Sequence, residues 1–326
     1  MPTSFLQSSG WARLKQAQGW QVHRLAGFLG LQRDLPLGVK LLYLPELGFR
    51  LQASGFKVTG LRLKRLLKEI QKVAKQKRLT VARLEFFTEF DEADTKAIAR
   101  ADHFLAKAGL QKSPEEMQPE YRQLIDLTLP EERLLAQMKP KGRYNIKIAK
   151  RHGVVVQQIQ KSKFKNQNYH SSLKDFYKVY EEAAKRDGFT PRPFHYFEQM
   201  ATHMSGHVSS YIASWKGKPL AAAVIIFWQG RASYLYGGSS SAHRNVMAPY
   251  LLHWNIIQDA KAAGLKTYDL LAISPGGVDR HKFSGLRRFK EQFGGRSVRV
   301  LGSYDLIVDP LRYKLFVITE KLRGRF

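Results

Sequence analysis

The chain has 326 residues and carries 54 Lys and Arg against 27 Asp and Glu, a formal net charge of +27. At about 100–200 residues per domain two domains are expected, and 44% hydrophobic with 12% aromatic residues excludes a disordered basic tail. The lack of cysteine excludes disulfides, zinc fingers and thiol nucleophiles and is compatible with a reducing cytoplasm; the charge excess points to a polyanion, whether nucleic acid, nucleotide phosphate or an anionic membrane face.

The first residues, Met1-Pro2-Thr3-Ser4-Phe5-Leu6-Gln7, lack a charged segment leading into an apolar one, so no signal peptide is expected. No run approaches the ~20 apolar residues of a membrane span; residues 221–228 (AAAVIIFW) are too few and read as a buried strand. A short amphipathic helix at 10–18 carries Trp11, Leu14 and Lys15, and strands follow at 20–25 and 40–44. Over 61–77, Leu63, Leu66, Leu67, Ile70, Val73 and Ala74 share one helical face, with Lys and Arg opposite. Residues 79–86 alternate as a strand with Glu85 at its end, where an exposed acid is the simplest reading. Asp94 caps a helix that Gly109 stops, and 121–127 is another strand.

Pro130-Glu131-Glu132 opens a new helix, with acids in the turn where the dipole favours them, and reads as a domain start. Helices at 134–138 and 143–151 follow, broken around Pro140 and Gly142. From Lys139 to Lys165 there are nine Lys or Arg and no acid. Like charge left unneutralised on a helix costs stability, so Lys139, Lys141, Arg143, Lys147, Lys150 and Arg151 are candidate contacts for a phosphate backbone; a solvated face is the alternative. A strand at 154–158 and helices at 173–186 and 193–204 come next. Strands at 207–215, 218–228 and 231–236 are joined by Lys216-Gly217 and Gln229-Gly230 turns. A loop, a helix at 250–263 closed by Gly264, and a strand at 268–271 complete the pattern. This order matches the Gcn5-related acyltransferase fold; the first half repeats it more weakly.

Three further segments carry possible chemistry. Arg192 stands between Pro191 and Pro193, which limits its backbone and suits a donor fork for phosphate or carboxylate; an ordinary helix start is the alternative. In 283–295, Phe289 and Phe293 lie four apart and can pack one on the other, leaving Lys290 as a positioned cation, or as a solvated lysine beside core aromatics. Gly294 and Gly295 permit a tight reversal. In the loop before 250, Arg244-Asn245-Val246-Met247-Ala248-Pro249 places bulky residues and a proline where a coenzyme A cradle needs glycine amides. That argues against coenzyme A. No Gly-x-Ser-x-Gly, Walker A or His-Glu-x-x-His sequence occurs.

An ordered set of motifs resembles the FemABX family. It comprises Ile125-Asp126-Leu127, Glu131-Glu132, Leu134-Leu135, Met138-Lys139, Lys141-Gly142-Arg143-Tyr144-Asn145-Ile146, Gly153-Val154 and Tyr234-Leu235-Tyr236-Gly237. It continues with Met247-Ala248-Pro249-Tyr250, Lys266-x-Tyr268-Asp269-Leu270 and Gly285-Leu286-x-x-Phe289-Lys290-x-x-Phe293-Gly294-Gly295. The resemblance implies an α+β fold of two tandem Gcn5-related N-acyltransferase-like domains, 1–129 completed by 305–326 and 130–304. It implies an aminoacyltransferase that uses aminoacyl-tRNA to add an amino acid to the stem-peptide side-chain amine of a peptidoglycan precursor, UDP-MurNAc-pentapeptide or lipid II. Lys15 and Arg192 resemble the residues that bind acceptor phosphate, Tyr196 and Tyr250 match tyrosines near the acceptor, and Lys290 matches the lysine of the transfer step. Glu85, in Arg83-Leu84-Glu85, falls where relatives with an Arg-x-acid motif carry Asp, and is a second candidate catalytic residue. No cofactor or metal is implied, since aminolysis of an ester needs neither. The expected chain is a monomer in the cytoplasm, touching the inner membrane face if the acceptor is lipid-linked, and it resembles short members without a coiled-coil arm. A coenzyme A-dependent acyltransferase with another acceptor, or a non-catalytic nucleic-acid-binding protein, are the rival readings.

Overall fold

The computed structural model describes residues 4–49, 51, 56–159, 166–278 and 283–323. Lys161, Lys163 and Lys165 of the basic run lie outside the described residues. In chain order the elements are α1 (Ser9–Ala17), β1 (Gln21–Leu25), β2 (Phe28–Asp34), β3 (Lys40–Leu47), α2 (Phe56–Lys77), β4 (Val81–Asp91), α3 (Thr95–Lys107) and β5 (Gln111–Lys112). Then follow β6 (Tyr121–Asp126), α4 (Glu131–Gln137), α5 (Pro140–Arg151), β7 (Val155–Ile159), α6 (Asn166–Asp187), α7 (Phe194–His203), β8 (Val208–Trp215), β9 (Lys218–Trp228) and β10 (Arg231–Ser239). The last are α8 (Ala248–Ala262), β11 (Thr267–Ala272), α9 (Ser284–Lys290), β12 (Arg296–Ile307) and α10 (Pro310–Arg323).

Contacts divide the chain into two compact units, 1–121 with 298–326, and 122–297. Both boundaries fall earlier than 130 and 305. β6 ladders with β11 through Thr267–Asp126, Tyr268–Ile125 and Asp269–Leu124, whereas β12 pairs with β4 from Val298–Asp91 onward. No strand is predicted at 296–307 because Gly302 interrupts the alternation; it sits at φ +78, and a Cβ there would overlap the Glu120 carboxylate.

In the first unit the strand order is β1-β2-β3-β4-β12, with β5 on β12. β3 and β4 are parallel, joined by the crossover helix α2; the other pairs are antiparallel. Leu63, Leu66, Ile70 and Ala74 of α2 and Ile98, Ala101 and Leu105 of α3 pack on Leu42, Leu44, Leu84 and Phe86 of the sheet. Burial of each large aliphatic side chain contributes about 1.5–3 kcal/mol. β2 lies outside the predicted strands, and the turn before it needs Ala26 and Gly27 at positive φ. Helix α10 clusters with this unit. Fully buried Arg83 donates to both oxygens of Asp305 (2.8 and 2.9 Å) and of Glu320 on α10 (2.7 and 2.9 Å), a pairing that offsets the cost of burying its charge.

The second unit has the order β6-β11-β10-β9-β8-β7. β10 and β11 are parallel and are joined by α8; the remaining neighbours are antiparallel. Residues 221–226 of β9 are fully buried, as their apolar run predicts. Lys216-Gly217 and Gln229-Gly230 turn the chain with positive φ at both positions, the geometry of two-residue hairpins. The interruption in the basic segment falls at Met138-Lys139 rather than at Gly142: Pro140 starts α5, where its missing N–H has no consequence, and Gly142 lies inside the helix. α8 packs against both the sheet and α5 and buries Leu251, Leu252, His253, Trp254, Ile256 and Ile257, leaving Asp259 and Ala262 exposed. Among the described residues no helix is long and apolar enough to cross a membrane.

Candidate active site around Lys290

α9 and the turn after it dock on α5. Lys139 N donates to Gln292 O at 3.1 Å, Lys139 Nζ meets Glu291 at 2.7 Å, and a Cβ on Gly142 would overlap the Gln292 carbonyl oxygen. Gly294 and Gly295 (φ +77 and +79) give the reversal expected of them, and Cβ atoms there would overlap backbone of Gln137 and Leu124. The rings of Phe289 and Phe293 pack edge to face at 5.3 Å, and Tyr250 of α8 closes on both, at 5.2 and 5.8 Å.

This packing places Lys290 inward, at 3% exposure, so the alternative of a solvated lysine does not hold. Nζ donates to Ala272 O at 2.7 Å and lies 5.5 Å from the Tyr234 ring centroid. Burial pushes the Lys290 ammonium down to about 7, with Asp269 opposing the shift. Beside it, His253 of α8 has rings of Tyr234, Phe289 and Phe293 at 4.7, 5.5 and 5.3 Å, and its Nδ1 is 2.7 Å from the Tyr268 hydroxyl. Burial, then the neighbouring Lys290, pushes His253 down to about 3, so its imidazole is neutral at physiological pH. Asp269 is fully buried; its Oδ2 accepts from Arg231 at 2.9 Å and Arg122 at 3.4 Å.

Arg192 and Tyr196 form a second group in the same unit. Arg192 is exposed as a residue, but its guanidinium lies 5.6 Å from the Tyr196 ring centroid and hydrogen-bonds Tyr236, and its backbone N–H donates to Tyr180 at 3.2 Å. Tyr196 is buried, and its hydroxyl is 3.1 Å from that of Tyr236. Strand β10 links the groups: Tyr234 meets His253 and Lys290, and past a register slip Tyr236 meets Tyr196. Gly237 and Gly238 of the same strand are closely packed. Their Cβ positions would overlap Ala222 O and the Ala183 side chain, so they serve sheet and helix packing rather than a phosphate cradle.

Lys15 and Glu85 belong to the first unit. Lys15 Nζ lies 4.7 Å from the Trp11 ring centroid and 3.2 Å from Gln18 Oε1. Trp11 Nε1 and Gln18 Nε2 are buried donors without a hydrogen-bond partner, so the surroundings of Lys15 are rich in donors. Glu85 is not an exposed strand-end acid. β4 runs on to Asp91, Glu85 is 2% exposed, and its carboxylate accepts from Gln118 N (2.8 Å), Ser303 Oγ (3.1 Å) and the Tyr43 hydroxyl. With those donors in place its carboxylate braces the first unit.

The basic helix divides by use. Lys139 is paired with Glu291, and Arg143 donates to the carbonyls of Leu135, Ala136 and Met138, closing the end of α4. Lys141, Lys147, Lys150 and Arg151 are exposed.

The FemAB family model matches residues 104–218 and 205–321. The chain belongs to the FemAB family. Over 213 residues it is 29% identical to a Weissella viridescens protein named UDP-N-acetylmuramoylpentapeptide-lysine N(6)-alanyltransferase, covering 64% of this chain and 59% of that relative, less than two thirds of its length. With the lipid II:glycine glycyltransferase of Staphylococcus saprophyticus it shares 22% identity, covering 95% of this chain and 89% of the relative. The crystal structure of FemX has the same fold: TM-score 0.78 at 18% identity, covering 97% of this chain and 95% of that one. The α+β expectation of tandem acyltransferase-like domains holds.

Within this family member the surroundings of Lys290 were only partly legible from sequence. Tyr234, Tyr268 and Asp269 stand in the motifs quoted above, but His253 was missed, since a lone histidine among apolar residues reads as core. The only signal was its place in the apolar run Leu251, Leu252, Trp254, Ile256 and Ile257.

Proposed function

We propose that this chain moves an amino acid from aminoacyl-tRNA to the side-chain amine of a stem-peptide lysine in a peptidoglycan precursor. The observation that carries the reading is a buried, titratable Lys290 in a FemAB chain whose relatives are named for alanyl and glycyl transfer onto such precursors. In the reaction the neutral acceptor amine attacks the aminoacyl carbonyl. A carbon–nitrogen bond forms, the ester carbon–oxygen bond breaks, and the amine proton is lost as the ribose oxygen gains one. A lysine titrating near 7 is matched to such proton traffic: its ammonium protonates the leaving ribose oxygen or stabilises the oxyanion. The neutral His253 adds no competing positive charge. Lys15, with the donors around it, and Arg192 hold acceptor phosphate, Tyr196 and Tyr250 flank the acceptor, and Lys141, Lys147, Lys150 and Arg151 attract the donor RNA.

The test is transfer of radiolabelled amino acids from charged tRNAs, one by one, to lysine-containing UDP-MurNAc-pentapeptide and to lipid II, with acetyl-CoA as rival donor. Transfer from tRNA alone is expected; acetyl transfer overturns the reading. Lys15→Ala and Arg192→Ala each raise the acceptor KM about tenfold, the cost of losing a charge-assisted contact. Unchanged KM in both refutes their assignment. The chain acts as a monomer and meets a lipid-linked acceptor at the inner membrane face; sedimentation with and without lipid II vesicles checks both.

A further inference from the structure

We propose that Asp269 is a positioning residue for Lys290: its carboxylate holds residues 269–272 in a bulge whose last carbonyl aims the Lys290 amine. β11 pairs with β6 in register as far as Asp269–Leu124, then slips and resumes at Ala272–Arg122. Within the slip Leu271 sits at φ +54, a left-handed conformation that strains leucine and leaves glycine unstrained. Asp269 Oδ1 accepts the Leu271 N–H at 2.8 Å, while Oδ2 is held by Arg231 and Arg122. The next carbonyl, that of Ala272, accepts from Lys290 Nζ at 2.7 Å. Three residues earlier on α9, Arg287 donates to Ser274 O at 2.7 Å. Two side chains of α9 therefore bind the strand end just past the bulge. An extended residue at 271 would put the Ala272 carbonyl on the other side of the strand, because strand groups alternate with a period of two.

The proposal rests on the transfer reading, in which Lys290 meets the reacting ester. The titratable groups facing the Lys290 amine are Asp269 of β11, Tyr234 of β10 and His253 of α8. Of these, Asp269 supports the ammonium against burial.

The experiment compares wild type, Asp269→Ala, Asp269→Ala with Leu271→Gly, and Leu271→Ile. It reads kcat, the acceptor KM and, without substrate, the titration of Lys290 by carbon-13 NMR. Asp269→Ala lowers kcat about 10–10²-fold, as a misplaced catalytic group does, keeps the acceptor KM within about twofold, and moves the Lys290 midpoint to lower pH. Adding Leu271→Gly recovers part of kcat, because glycine holds the bulge unaided, but does not restore the midpoint. Leu271→Ile slows transfer while retaining Asp269, since a β-branched residue resists positive φ. Wild-type kcat in Asp269→Ala, or a double variant no faster than it, overturns the proposal. If Asp269→Ala does not fold, Leu271→Ile at the wild-type rate overturns it. If the wild type transfers nothing, the transfer reading fails instead; the Lys290 midpoint in Leu271→Ile, which keeps the Asp269 charge, then decides, a wild-type value refuting the clamp.

Discussion

Both units contain a strand–helix–strand crossover, β3–α2–β4 in the first and β10–α8–β11 in the second, and in each the first strand slips register, between Leu44 and Leu47 and between Tyr234 and Tyr236. The crossover helices are built differently. α2 has one apolar face and presents Arg62, Lys64, Lys68 and Lys72 to water. α8 is covered by α5, by Phe289 of α9 and by Phe293 just after it, and it carries a buried histidine. The crossover alone supplies packing. The added layer supplies a dry pocket in which an amine loses several kcal/mol of solvation and titrates near neutrality, which no lysine standing in water does.

The contrast is broken most severely at the buried amine. Lys290→Met lowers transfer about 10²–10³-fold with acceptor binding kept; wild-type turnover of labelled acceptor would remove Lys290 from the mechanism. The same variant has a stability signature. Lys290 titrates at about 7 folded against about 10.5 unfolded, so below 10.5 the unfolded chain binds the proton more readily. Wild-type stability therefore falls as pH drops from about 10.5 to 7 and this contribution levels off below. The pH-dependent advantage of Lys290→Met in denaturant midpoint should reach its plateau at and below about pH 7 and vanish above 10.5.

The covering layer is tested by a pair of glycines. Gly142→Ala on α5 forces a Cβ into the Gln292 carbonyl and should destabilise by about 1–3 kcal/mol. Gly60→Ala on α2 meets only the edge of the Phe104 ring at 3.7 Å and should stabilise by about 0.5–1 kcal/mol through helix propensity. Equal shifts on urea unfolding would show that the two crossovers are not covered differently. The exposed charges come last. Lys147, Lys150 and Arg151 changed together to Gln should raise the donor KM and reduce its log–log salt slope by about 0.7–0.9 per lost contact, with kcat nearly unchanged. The same change at Lys64, Lys68 and Lys72 should leave the donor KM near wild type; equal losses would assign RNA attraction to the whole basic surface rather than to α5.

Much of the fold was legible because periodicity reports which face is covered. The α2 stripe, the β8–β9–β10 meander with its Lys216-Gly217 and Gln229-Gly230 turns, and the Asp94 cap all follow from local patterns. β12 was not legible: its partner β4 is more than 200 positions away, and Gly302 breaks its pattern for the sake of Glu120. Within the site, Phe289, Phe293 and the glycine pair gave their packing away by spacing. Arg143 did not, because its carbonyl acceptors become neighbours only once α4 ends at Gln137. Glu85 read as an exposed acid because a strand's end in sequence says nothing about what lies above it.

By itself the sequence determined the charge excess, the crossover pattern, the loss of glycine amides where a coenzyme A cradle would lie, and family membership, all properties of residue type and order. Tertiary structure alone decided which cations are taken out of water. Lys147 and Lys290 are the same residue on helices of the same unit, yet one stands in water and the other is enclosed by Tyr234, His253 and the Ala272 carbonyl. Desolvation depends on neighbours brought from distant parts of the chain, and no local pattern encodes it.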